Sequence, residues 1–166
     1  DCGIYGLCRE VGGPDVDLRL LETIVRNRRI FKRGELLYRI GEPLRAIYAI
    51  RCGSVKSYVL TNDGRVQITG FHITGEVLGL GAIAANQYTS EARALETTMV
   101  CEVPIDVLEA YSAEVPSIRQ QMLNIMSQEI LDNQELMLLL GKKNADERLA
   151  TFLLRLSRRF QRRSYS

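Results

Sequence analysis

The sequence lacks any apolar run approaching the ~20 residues that a membrane span needs. Its first residues also lack the basic-then-apolar profile of a secretion signal, so a cytoplasmic location is expected. There are no internal repeats and no low-complexity segments, which sets aside repeat arrays and biased tracts. Histidine occurs once, at His72, with no partner in a triad-like motif. No glycine-rich nucleotide loop and no His-rich metal motif are present, and Gly79-Leu80-Gly81 reads as a turn. Enzyme chemistry is therefore not expected.

What is present suits a globular domain with an extension: 166 residues, 46% hydrophobic and 25% charged. Four cysteines in a cytosolic chain should be reduced thiols, not a disulfide framework. The net charge of +2 is unevenly spread, because Arg155, Arg158, Arg159, Arg162 and Arg163 crowd the C-terminal end. Without those five the remainder carries about −3, so the body of the chain is not a polyanion-binding surface.

Pattern divides the chain into four parts. Residues 1–15 (DCGIYGLCREVGGPD) read as an irregular loop bearing Cys2 and Cys8, with Gly13-Pro14 as a breaker. Asp15 can cap a short helix carrying Leu18, Leu21, Ile24 and Val25. Residues 16–115 otherwise consist of short β-like runs separated by glycines, which predicts a sandwich or small barrel. Asn62-Asp63-Gly64 signals a hairpin, because glycine accepts the positive φ of tight turns. A closing strand is expected from Ala92 to Val103. Residues 116–141 form a long helix, with Pro116 in its first turn and a stripe of Met122, Met126, Ile130, Asn133, Met137 and Leu140 at 3.6-residue spacing. Gly141 ends it. Residues 144–166 begin with Asn144 and Glu147, a capping box that opens a last helix.

Several stretches resemble one family. They are Gln67-Ile68-Thr69-Gly70-Phe71-His72, Ala94-Leu95-Glu96-Thr97, Met99-Val100-Cys101-Glu102, Arg119-Gln120-Gln121-Met122, and Leu138 through Ala150. Together they resemble the FNR-type regulators of the CRP/FNR superfamily over nearly the whole chain. The resemblance implies an α+β fold: an antiparallel β-roll of jelly-roll type, then a long dimerisation helix, then a linking helix at the start of a winged helix-turn-helix domain. The DNA-reading helices are expected beyond Ser166, so this chain by itself should not bind duplex DNA site-selectively.

Spacing alone leaves the role of Cys2 and Cys8 open between soft-metal ligation and two incidental loop cysteines. The resemblance implies that Cys2, Cys8 and Cys101 are ligands of an oxygen-labile [4Fe–4S] cluster, with the fourth cysteine expected upstream of Asp1. The cluster is accordingly expected to be absent or incomplete in this chain. Cys52 is expected to be a small buried residue and not a ligand. The resemblance further implies a homodimer through the long helix, DNA binding by the full-length regulator, and RNA polymerase contacts at Thr61, Asn62, Asp63, Gly64, Arg65, Thr97 and Met99 and near Cys52. Glu109 and Arg119 could form an ion pair. Two other readings are weighed. One is an interaction module without ligand. The other is a cyclic-nucleotide receptor, for which Gly75-Glu76 is present but the expected arginine position reads Tyr88-Thr89-Ser90-Glu91-Ala92, bringing Glu91 toward the phosphate.

Overall fold

A computed structural model describes residues 27–61, 63–142 and 144–164. Cys2, Cys8, Asn62 and the short helix expected after Asp15 lie outside the described residues. Eight strands come first: β1 (Asn27–Phe31), β2 (Leu36–Tyr38), β3 (Ala46–Cys52), β4 (Ser54–Leu60), β5 (Val66–Ile73), β6 (Val77–Leu78), β7 (Glu91–Ala94) and β8 (Thr98–Pro104). Helices α1 (Ile105–Glu114), α2 (Pro116–Lys142) and α3 (Ala145–Ser164) follow. The chain divides into two compact units after Glu114.

The strands form two antiparallel sheets, ordered β1-β8-β3-β6 and β2-β7-β4-β5. This is the expected β-roll. Apart from the β4–β5 hairpin, consecutive strands lie in different sheets, and the chain crosses between sheets at corners. Gly53, at φ +92°, turns the chain from β3 into β4. The expected single strand from Ala92 to Val103 is in fact two, β7 and β8, lying in different sheets. Thr98 holds the corner between them. Its hydroxyl donates toward the carbonyls of Ser54 (3.1 Å) and Glu96 (3.0 Å) and accepts from the Ser54 N–H. Glu96 in turn accepts a bond from the Ser54 hydroxyl at 2.7 Å. The two corners are thus tied to each other.

Side chains alternate across each strand, and the inward set is the one that clusters between the sheets. Ile50, Val55, Val100, Ala92 and Ala94 are almost wholly buried. Tyr38, Tyr48 and Tyr88 fill the space between the sheets. Tyr38 stacks on Tyr88 with ring centroids 4.0 Å apart and on Tyr48 at 5.8 Å. Buried phenols need a partner for the hydroxyl. The Tyr88 hydroxyl donates to the Ala46 carbonyl at 2.7 Å, and burial raises the pKa of Tyr48 and of Tyr88, keeping both neutral.

The hairpin between β4 and β5 closes at Thr61–Arg65, where the Thr61 N–H donates to the Arg65 carbonyl and Gly64 takes φ +79°. The capping box at α3 is reciprocal. The Glu147 N–H donates to the Asn144 side chain at 2.9 Å, and the Asn144 N–H donates to the Glu147 carboxylate at 3.2 Å. The long helix runs beyond the glycine signal, because Gly141 lies inside α2.

Candidate functional site

Of the three expected cluster ligands, Cys101 is described. It lies on β8, paired with Ala49 of β3 on one side and Arg28 of β1 on the other. The inward positions of β8 go to Thr98 and Val100, so Cys101 faces the opposite side of the sheet with Met99 and Val103. Its relative exposure is only 1%. A thiol held on an interior strand beside aliphatic residues suits a soft metal, and the donor fits an iron–sulfur group. Among the described residues, no three Cys, His, Asp or Glu side chains gather as a metal site. Cys52 differs from expectation. It ends β3 as an exposed thiol, not a buried filler, because the strand runs out into the Gly53 corner.

The surfaces expected to touch RNA polymerase fall into two groups. Cys52 pairs with Met99 across β3 and β8, and Thr97 lies at the corner packed on Gly53. Those residues form one patch. Thr61, Asp63, Gly64 and Arg65 form the hairpin tip at the far end of β4. The seven residues of that strand set the two patches roughly 20 Å apart. Asp63 organises the tip, accepting from the Arg65 Nε at 2.6 Å and from the Thr61 hydroxyl. These bonds, the one to Arg65 foremost, lower the Asp63 pKa to about 2.

On α2, Met122 and Met126 are half-buried, while Ile130 and Met137 are 57% and 73% exposed and Asn133 is exposed. Leu140 falls on the same helix. The sequence reading missed Leu123, which is 52% exposed and seven residues before Ile130 and so borders the stripe. Glu109 is exposed on α1 and Arg119 is exposed on α2, each in its own unit.

Among the described residues, aromatic rings fill the interior of the roll. The Tyr38-Tyr48-Tyr88 stack occupies it. Glu76 closes its own turn, accepting from the Ile73 N–H at 3.0 Å. Glu91 does not face the interior of the roll, because Ala92 and Ala94 take the inward positions of β7. Instead Glu91 and Arg93 face outward beside Tyr58. The Tyr58 hydroxyl donates to Glu91 and accepts from the Arg93 Nε (3.1 Å) and Nη2 (3.0 Å). Arg93 also donates to the Gly34 carbonyl at 2.9 Å, so its guanidinium is bound up in the sheet's outer face. His72 pairs with the Ser57 hydroxyl at 2.9 Å, consistent with a structural role.

Residues 28–114 match the cyclic nucleotide-binding domain family. Over all 166 residues the chain is 45% identical to the fumarate and nitrate reduction regulatory protein of Escherichia coli, and equally to that of Vibrio cholerae. It spans 66% of the length of each. Among solved structures it resembles FixK2 from Bradyrhizobium japonicum (33% identity, TM-score 0.74, 80% of this chain and 66% of that one). The fold also matches the sensor domain of the transcriptional regulator DNR from Pseudomonas aeruginosa (17% identity, TM-score 0.62, 78% of this chain and 86% of that one). No helix among the described residues is long and apolar enough to cross a membrane.

Proposed function

This chain belongs to the cyclic nucleotide-binding domain family, and we propose that it is the sensing and dimerisation part of a cytoplasmic, oxygen-responsive transcription regulator of the CRP/FNR group. The single observation that carries the reading is Cys101. In a chain 45% identical to a fumarate and nitrate reduction regulatory protein, its thiol is fixed on an interior strand with 1% exposure. Cys101, with Cys2 and Cys8 and a cysteine upstream of Asp1, would hold a [4Fe–4S] cluster, which when bound supplies oxygen-labile chemistry. The role of the polypeptide is positional. The sheet holds Cys101 still, and ligation would tie the segment bearing Cys2 and Cys8 to β8. Metal binding and local order are then one free-energy balance. Because β8 runs straight into α1, the ligand strand leads toward the helical unit.

The exposed stripe on α2 supports a homodimer with a second copy. DNA binding and RNA polymerase contact through the two patches belong to the longer protein. A cyclic nucleotide is not the ligand we assign, since the tyrosine stack fills the interior of the roll. The test uses the longer protein with its upstream cysteine, reconstituted without oxygen from ferrous iron and sulfide. About one cluster per protomer should form, visible by its absorbance and by iron and sulfide assay. Cys101→Ser should abolish it, whereas Cys52→Ser should leave it intact. A full-strength cluster spectrum in the Cys101→Ser protein would sink the assignment.

A further inference from the structure

Reading straight across the outer face of the first sheet, the residues level with Cys101 are Arg28 on β1, Ala49 on β3 and Val77 on β6. One cation, one thiol and two aliphatic groups make up that row. Directly opposed residues of an antiparallel pair have Cβ atoms ~4.5–5.5 Å apart, close enough for the long arginine stem to bring its charge over the neighbouring sulfur. The adjacent arginine is committed elsewhere. Arg29 faces the other side of the sheet, where it pairs with Glu102 at 3.9 Å and lies 4.8 Å from the Phe31 ring centroid. Arg28 is exposed and, among the described residues, its side chain has neither ion pair nor hydrogen bond. The strand's alternation thus separates a structural arginine from an uncommitted one.

We propose that Arg28 is a positioning residue for the iron–sulfur group, a counter-charge placed beside Cys101 that governs how firmly the group is held and how readily it accepts an electron. This rests on the cluster reading above. A cluster with four thiolate ligands carries net negative charge, and nearby charge is one of the factors that set its potential. Arg28 would offset that charge from the β1 side of Cys101. Because the guanidinium is exposed, its influence must fade with salt. At 1 M ionic strength the screening length is about 3 Å, against about 30 Å at 0.01 M.

The test compares the longer protein, reconstituted anaerobically, as wild type, Arg28→Gln, Arg28→Lys and a surface control, Arg33→Gln. Iron release to an excess ferrous chelator and the midpoint potential are measured at low and high salt. At low salt Arg28→Gln should lose iron about fivefold faster, the order expected from one partly screened charge, and its potential should fall. Arg28→Lys and Arg33→Gln should match wild type. In high salt the Arg28→Gln difference should close, which a packing defect would not do. Equal behaviour of Arg28→Gln and wild type, a difference that persists in high salt, or failure of Arg28→Lys to restore wild-type values overturns the role of Arg28 and leaves the cluster standing. A wild-type protein that takes up no cluster overturns both.

Discussion

Replacing Gly53 by alanine isolates the cost of the corner that ties the two sheets. The backbone there has φ +92°, where an L side chain is strained by about 1 kcal/mol. An added Cβ would also lie 2.5 Å from the Thr98 hydroxyl oxygen, 2.8 Å from the Thr97 carbonyl oxygen and 2.8 Å from the Thr98 Cα. Two of those atoms are backbone. The third belongs to a hydroxyl already bonded to Ser54 and Glu96, so it cannot swing aside freely. Overpacking of this kind costs about 1–3 kcal/mol, giving about 2–4 kcal/mol in all. Gly64 supplies the comparison. It has φ +79°, and an added methyl group would meet nothing within 4 Å, so Gly64→Ala should cost only the backbone strain, about 1 kcal/mol. Urea denaturation followed by tyrosine fluorescence would measure both under one set of conditions. Equal losses in the two variants would refute the argument that close packing at the corner, beyond its backbone angle, fixes the roll.

Asn133→Leu should tighten self-association and Asn133→Asp should loosen it near neutral pH. A polar seam residue weakens association while restricting register, and facing carboxylates repel. Sedimentation equilibrium over a range of concentrations would detect either change, and two unaltered variants would place Asn133 off the interface. Asn144→Ala removes a side-chain acceptor from the capping box and should cost about 1 kcal/mol, read as fraying at the start of α3 by circular dichroism and hydrogen exchange. Asp63 has a pKa lowered to about 2, so its contribution to the hairpin tip is complete above the ordinary carboxylate range and lost as pH falls through about 2. Carboxyl NMR should place the Asp63 midpoint near 2, and Arg65→Gln should return it toward the ordinary 3.8.

What could be read from the sequence was what local chemistry determines. The turn at Gly64 and the Asn144–Glu147 box each follow from residues within a few positions of one another, and both are in place. The break between β7 and β8 was not legible, because Leu95-Glu96-Thr97 has neither glycine nor proline. The corner is made by Thr98 bonding to Ser54, 44 residues away. The orientation of Glu91 was missed for a related reason. Alternation along β7 is plain, but only the bulk of Tyr38 and Tyr88 on the other side makes small Ala92 and Ala94 the inward pair. The α2 stripe was visible as periodicity, yet Leu123 was passed over in favour of its neighbour Met122, although it sits seven residues before Ile130 and so shares its face. Arg28 carries no signal at all until register sets it opposite Cys101.

The position of Cys101 also bears on how firmly its thiol is placed. Its strand is hydrogen-bonded on both flanks, to β1 and to β3, so shifting its backbone requires a cooperative opening of the sheet and not a local flutter. Short of that opening, the sulfur keeps its register against Arg28 and Ala49 whatever happens on the face it looks out from.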